Sequence, residues 1–198
     1  MSGSGRRQSS REGGPELDGL ELGRTVQLLY DAFSLIEGVG GSLSPYVPTL
    51  GSVAEPLAAL AAAWAEARAA ARGAGGTPVY YEPGCGAARF ASLVAREGTA
   101  YTLCLELDEA LAREAHERLK HASPLADTIV GDLASFRPRR SDTVYAYLLP
   151  RAVQRLLEAL DGSHAPVISL DYPAEEDRGH LSTAILEVLG RRIYVYQA

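Results

Sequence analysis

Two carboxylates, Glu82 and Glu106, flank a glycine-rich stretch in a pattern suited to holding a nucleoside that carries an ammonium group. Residues 82–89 read Glu-Pro-Gly-Cys-Gly-Ala-Ala-Arg. Glycines at 84 and 86 let the backbone turn tightly and approach a ligand. A nicotinamide fingerprint needs a third glycine where this chain has Arg89, and a Walker loop needs a Gly-Lys-Ser/Thr that is missing. An acid two residues before the first glycine repels a pyrophosphate and suits an ammonium; an ordinary Gly-rich turn is the competing reading. Glu106 stands twenty residues past Gly86, the offset from which a strand-terminal acid accepts hydrogen bonds from both ribose hydroxyls. It could instead cap the following helix, a role for which Asp108 competes.

S-adenosylmethionine is a ligand with these two ends. Further residues extend its expected site. Asp132, in Ile129-Val130-Gly131-Asp132-Leu133, can accept from an adenine amino group or serve as a turn aspartate. Cys85, Leu107 and Leu133 stand beside the glycine loop and the two strand-end acids, and we assign them to cofactor binding with Glu82, Gly84, Gly86, Glu106 and Asp132. Tyr145 and Tyr147 alternate along one strand and share a face. An aromatic face stabilises a sulfonium by cation–π attraction of about 0.5–2 kcal/mol. We expect Tyr145 in the core and Tyr147 at the cofactor and in catalysis. Leu148, Asp171 and Tyr172 are expected to line the acceptor, with Asp171 alternatively a turn acid near Pro173.

These residues need strands to aim them. From Thr77 onward, short apolar runs alternate with helical patterns. Strands are expected at Pro78–Glu82, Tyr101–Glu106, Thr128–Gly131, Asp142–Leu148 and Val167–Leu170. Helices with Phe90, Leu93 and Val94, then Leu111, Ala115 and Leu119, then Val153, Leu156, Leu157 and Leu160 facing inward separate them. Two late strands, Thr183–Leu189 and Arg191–Tyr196, flank Gly190 as a hairpin. The alternation predicts an α/β fold: a Rossmann-like seven-strand sheet, mostly parallel, with an antiparallel C-terminal strand pair and helices on both faces. Ligands of such sheets sit beyond the carboxyl ends of the strands, near the switch in strand order.

Before Thr77 the chain reads differently. Residues 1–14 are Gly-, Ser- and Arg-rich, a disordered tail. Residues 15–76 form a helical extension on the sheet. One helix spans about Leu22 to Glu37, carrying Val26, Leu29, Phe33 and Ile36. A second begins near Ser52 and Glu55, a capping-box pair, or at Pro56. Its expected inward stripe is Val53, Leu57, Leu60 and Trp64. Pro45-Tyr46-Val47-Pro48-Thr49 between them is extended.

Of 198 residues, 46% are hydrophobic and 22% charged, which excludes a disordered chain, a coiled coil and a collagen-like fibre. The formal charge of −6 disfavours duplex nucleic acid as main partner. No membrane segment is expected, since even the Ala-rich run 57–71 is broken by Glu66 and Arg68. Cys85 and Cys104 are too few for a disulfide framework. We read Cys85 as a small filler beside the cofactor, Cys104 as core and the compartment as reducing, hence cytoplasmic. His116, His121, His164 and His180 have no metal spacing with either cysteine, so no metal site is expected. Arg137, Arg139 and Arg140 read as a solvated loop.

The chain resembles the class I, seven-strand methyltransferases that use S-adenosylmethionine, through Glu82-x-Gly84-x-Gly86, Glu106 and Asp132. Within them it resembles the small archaeal protein-lysine methyltransferases and their mitochondrial relatives. The narrower likeness rests on Pro45-Tyr46-Val47-Pro48-Thr49, Gly84-Cys85-Gly86-x-x-Arg89, Leu105-Glu106-Leu107-Asp108-Glu109, Tyr147-Leu148-Leu149 and Ile193-Tyr194-Val195-Tyr196. The resemblance implies that residues 77–198 are the methyltransferase domain and that the substrate is a protein with an accessible lysine. It also implies that Tyr46, as a catalytic residue, and Thr49, as a cofactor contact, lie over the reacting groups. The family's usual Asp-Gly before Arg89 is Ala87-Ala88 here, and its usual proline after Thr49 is Leu50. Methylation of a small molecule or RNA, or a scaffold without activity, are the alternatives. The sequence leaves the oligomeric state open.

Overall fold

Short apolar runs separated by amphipathic segments oblige the chain to cross back over a sheet between strands, because parallel neighbours need a covering connection. The computed structural model describes residues 53–73, 76–140, 142–175 and 184–197. The tail 1–14, the helix at 22–37, Tyr46, Thr49 and Ser52 lie outside the described residues. Helix α1 (Ala54–Ala71) precedes β1 (Val79–Pro83), α2 (Arg89–Glu97), β2 (Tyr101–Glu106), α3 (Glu109–Ala122) and β3 (Ala126–Val130). A 3-10 turn (Leu133–Ser135), β4 (Thr143–Ala146), α4 (Pro150–Ala159), β5 (Pro166–Leu170), β6 (Ala184–Val188) and β7 (Arg191–Gln197) follow.

The seven strands pair in the order β3-β2-β1-β4-β5-β7-β6. Strands β1 to β5 run parallel, and β7 is antiparallel to β5 and to β6. This is the expected mixed sheet, and its order reverses between β1 and β4, the kind of position at which open sheets bind their ligands. The β6–β7 hairpin turns through Leu189 and Gly190, both at positive φ (54° and 73°), the backbone twist that a two-residue hairpin favours.

Each face carries a core. On one, α1, α2 and α3 cover Tyr80, Cys104, Tyr145, Ile168, Ile193 and Val195. On the other, α4 packs Val153, Leu156 and Leu157 onto Tyr81, Leu103, Leu105, Val144 and Val167. Two expectations about α1 change here. Its buried side is Leu57, Ala58, Ala61, Ala62, Ala65 and Ala69, while Leu60 is 41% exposed and Trp64 only half-buried. Leu57 is buried and Val53 and Trp64 pack against the same core, so of the expected stripe only Leu60 faces outward, and alanines fill the rest of the seam. Helix α1 starts at Ala54, with Val53 as its N-cap residue and no side-chain bond from it, so the alternative start at Pro56 is not used. Arg137, Arg139 and Arg140 lie in an exposed loop, as expected, and buried Asp142 anchors it by accepting the Arg139 backbone N–H at 2.7 Å and pairing with its guanidinium.

No helix among the described residues is long and apolar enough to cross a membrane. Nor does any group of three or more His, Cys, Asp or Glu there suit a metal ion.

Candidate active site

The carboxyl ends of β1, β2, β4 and β5 gather most of the expected site. The chain leaves β1 at Pro83 and turns through Gly84 (φ 69°) and Gly86 (φ 56°) before α2. A Cβ on Gly84 would stand 2.7 Å from a methyl of Leu148, which would have to shift, and the positive φ itself favours glycine there. Gly84 donates its N–H to Leu105 O at 2.7 Å, which ties the turn to the neighbouring strand. Ala88 also sits at positive φ (52°) with its methyl fully buried, a conformation that disfavours a side chain.

Glu106 ends β2 with its carboxylate held by three backbone donors. Oε2 accepts from Gly86 at 2.7 Å, and Oε1 accepts from Leu107 and Asp108 at 2.8 and 2.9 Å. The helix cap is Asp108, whose Oδ1 accepts from Ala110 and Leu111 at 2.7 and 3.0 Å. Glu106 Oε2, with one donor, keeps a further lone-pair direction. Beside it lie apolar surfaces that a purine would cover: Leu107 is 54% and Val130 56% exposed. Asp132 closes this edge. Its Oδ1 caps the 3-10 turn through Ala134 N–H at 2.8 Å, and its Oδ2 lies 3.5 Å from Arg155. The turn role assigned to it as the alternative is thus realised, with the side chain still partly exposed. An acid with fixed orientation beside exposed apolar surface fits a nucleoside.

Glu82 is placed differently. Its side chain is buried and accepts the Tyr80 hydroxyl at 2.8 Å. Burial pushes its pKa up to about 8, the Tyr80 bond opposing this. Burial also holds Tyr80 well above the ordinary phenol value.

Cys104 is core, as expected, and the reading of Cys85 as a separate filler is corrected. Cys85 and Cys104 are joined in a disulfide, with Cα atoms 5.7 Å apart, so neither is an independent filler. Parallel pairing of β1 and β2, with Glu82 opposite Cys104, carries the loop back onto the strand that holds its partner. The bond removes the cysteine argument for a reducing compartment.

At the ends of β4 and β5 an aromatic wall forms. Tyr145 is core, stacked on Phe90 at 4.5 Å between ring centres. Tyr147, on the same face, stacks on Tyr172 at 5.6 Å. Burial first, then the neighbouring Tyr147, push the Tyr172 phenol up to about 12, so it stays protonated. Leu148 turns to the other core, against Gly84. Asp171 takes a positive φ (62°) and pairs with Arg191, whose Nε lies 3.0 Å from both carboxylate oxygens. Arg191 also stands 5.9 Å above the Tyr147 ring. Sequence reasoning missed Arg191; nothing local marks it, and only the antiparallel register of β7 on β5 brings it here.

No family model matches the chain, and no curated protein is similar to it. Solved structures are. An RNA methyltransferase from Salinibacter ruber, in complex with S-adenosyl-L-homocysteine, is 27% identical, with 76% of this chain and 93% of that one covered at a TM-score of 0.57. A methyltransferase from Geobacter sulfurreducens is 17% identical, with 93% of both chains covered at 0.51. The fold is that of the class I methyltransferases.

Proposed function

We propose that this chain is an S-adenosylmethionine-dependent methyltransferase whose acceptor is a lysine side chain of another protein. The observation that carries the cofactor half is Glu106: three backbone N–H groups fix a partly exposed carboxylate at the carboxyl end of β2, beside the Gly84–Gly86 turn. The S-adenosyl-L-homocysteine bound by the Salinibacter ruber relative supports the same ligand class.

In this reading Glu106 takes the ribose hydroxyls, Leu107 and Leu133 flank the base, and Asp132 accepts from its amino group. Gly84, Cys85 and Gly86 let the backbone approach the aminoacyl end, whose ammonium is drawn to Glu82. When bound, the cofactor supplies a sulfonium methyl that a nitrogen takes in one in-line displacement. The chain's work is then to orient the two partners, which can lower a barrier by up to roughly 7–11 kcal/mol.

Tyr147 and Tyr172 form the wall against which the acceptor lies, with Asp171 beside them; Leu148, buried on the other face, supports the glycine turn rather than the acceptor. An unperturbed lysine has a pKa of about 10.4, and desolvation against two tyrosine rings lowers it, so that a neutral amine is available. Tyr46 and Thr49 complete the site in the resembling family. The net charge of −6 also suits a basic protein better than RNA. RNA is the second reading, favoured by the likeness to the Salinibacter ruber RNA methyltransferase. Incubation with methyl-labelled cofactor and, separately, a cell protein extract and total RNA decides between them. Label recovered as methyllysine is expected. Label in RNA alone overturns the acceptor, and no S-adenosylhomocysteine production overturns the enzyme. A Tyr46→Ala variant with unchanged rate and cofactor affinity would remove that residue from the site.

A further inference from the structure

The disulfide stands where cofactor binding is organised. Cys85 lies between the two turn glycines, and Cys104 is two residues before Glu106 on β2. Around the covalent tie run three hydrogen bonds between the same segments: Gly84 and Cys85 N–H to Leu105 O at 2.7 and 3.3 Å, and Gly86 N–H to Glu106 Oε2 at 2.7 Å. The bond therefore limits how far the Gly86 N–H can leave the Glu106 carboxylate. Both cysteines are buried, at 5% and 0% exposure, so a reductant reaches the sulfurs only when the loop opens.

We propose that Cys85–Cys104 is a redox modification site that sets the affinity of the nucleoside cofactor. The oxidised form holds the loop against β2 and binds tightly; the dithiol form lets it move and binds weakly. The proposal rests on the cofactor reading above. The chemistry is thiol–disulfide exchange with a dithiol. One reductant thiolate attacks the Cys85 sulfur and releases Cys104 as thiolate. The second reductant thiol, as thiolate, then attacks the reductant's own sulfur in the mixed disulfide and releases Cys85. Two electrons and two protons pass to the cysteines, and the reductant ends as a disulfide. Because tight binding favours the closed, oxidised loop, the coupling is reciprocal: bound nucleoside slows and disfavours reduction.

The test uses the full chain, with S-adenosylhomocysteine as probe and dithiothreitol as dithiol. Thiol titration and intact mass first establish each redox state. Calorimetry should then give binding about tenfold weaker for the reduced protein, an ordinary coupling between sites. The Cys85→Ser/Cys104→Ser double variant should match the reduced form and ignore dithiothreitol. Saturating probe should slow thiol release several-fold. Equal affinity in the two redox states overturns the proposal and leaves the cofactor reading intact. So does a wild type that yields two free thiols and will not couple them under an oxidant. If neither state binds while circular dichroism reports an intact fold, the cofactor reading falls and takes the proposal with it. Should the double variant fail to fold, the reduced wild type still decides.

Discussion

Glu106 Oε2 accepts the Gly86 N–H at 2.7 Å, so the acid that ends β2 and the turn that follows β1 form one unit. The two residues are twenty apart in sequence and adjacent because β1 and β2 pair in parallel. Neither feature would suffice alone. The turn fixes the acid through the Gly86 N–H, and the acid holds that turn on β2.

Glu106→Gln tests that unit. The amide keeps the shape, but one of its two ends cannot accept. Either the Gly86 N–H or the pair from Leu107 and Asp108 is left facing a donor. Loss of a hydrogen bond to a charged group costs about 1.5–3 kcal/mol. S-adenosylhomocysteine affinity should therefore fall roughly 10- to 150-fold by calorimetry. Asp108→Ala, which removes only the α3 cap, should lower thermal stability by about 1 kcal/mol and leave that affinity within about twofold.

Glu82 gives the chain a pH signature. Burial raises its folded-state pKa from 4.5 to about 8. Between those values the folded state holds a proton that the unfolded state has lost. Stability contributed by this group is thus full below about pH 4.5 and declines as pH rises toward about 8, by up to about 1.4 kcal/mol per pH unit. Melting temperature should fall across that window in wild type and change less in Glu82→Gln. A cationic ligand end drawn to Glu82 favours the carboxylate, so binding at about pH 7 should release a proton, seen as a binding enthalpy that varies with buffer.

The strand–helix alternation, the hairpin and the two strand-end acids were all legible in the sequence, because period and spacing are local properties. The cysteine bond was also within reach. Cys85 and Cys104 are separated by nearly the same interval as Gly86 and Glu106, so whatever brings acid to loop also brings sulfur to sulfur. On α1 only Leu60 departs from the expected stripe, because the buried face is centred on the alanines at 58, 61, 62, 65 and 69. Arg191 was out of reach. Its role depends on β7 inserting between β5 and β6, a pairing that no sequence interval encodes.

Gly84→Ala tests the turn. The added methyl meets Leu148 at 2.7 Å, and φ of +69° disfavours any side chain. Leu148 is buried in the core beneath α4 and has little room to withdraw. Backbone strain of about 1–3 kcal/mol is expected, and, on the proposed cofactor site, a larger relative loss in cofactor affinity than in stability. Gly84→Ala combined with Leu148→Ala should recover part of the stability, because the steric contribution is shared while the φ contribution is not. Urea titrations of the two single variants and the double variant give the coupling.

Arg191 couples three strand ends and should affect the acceptor more than the cofactor. Its guanidinium pairs with Asp171 and faces the Tyr147 ring, and both charged side chains are about four-fifths buried, at 22% and 18% exposure. Removing it leaves the Asp171 carboxylate without that partner in a turn already at positive φ. Breaking a fully buried pair costs about 3–5 kcal/mol; partial exposure reduces this to about 1–3 kcal/mol here. At about 2–4 °C per kcal/mol for a chain of this size, Arg191→Ala should melt roughly 2–12 °C lower. Arg191→Lys keeps the charge without the two-pronged geometry and should fall between. Pairing Arg191→Ala with Asp171→Asn should cost less than the sum of the single changes. If Tyr147 and Tyr172 wall the acceptor, methyl transfer to protein should drop in kcat/KM for Arg191→Ala while S-adenosylhomocysteine affinity stays within about twofold. An equal loss of both would move Arg191 from the acceptor wall to general support of the fold.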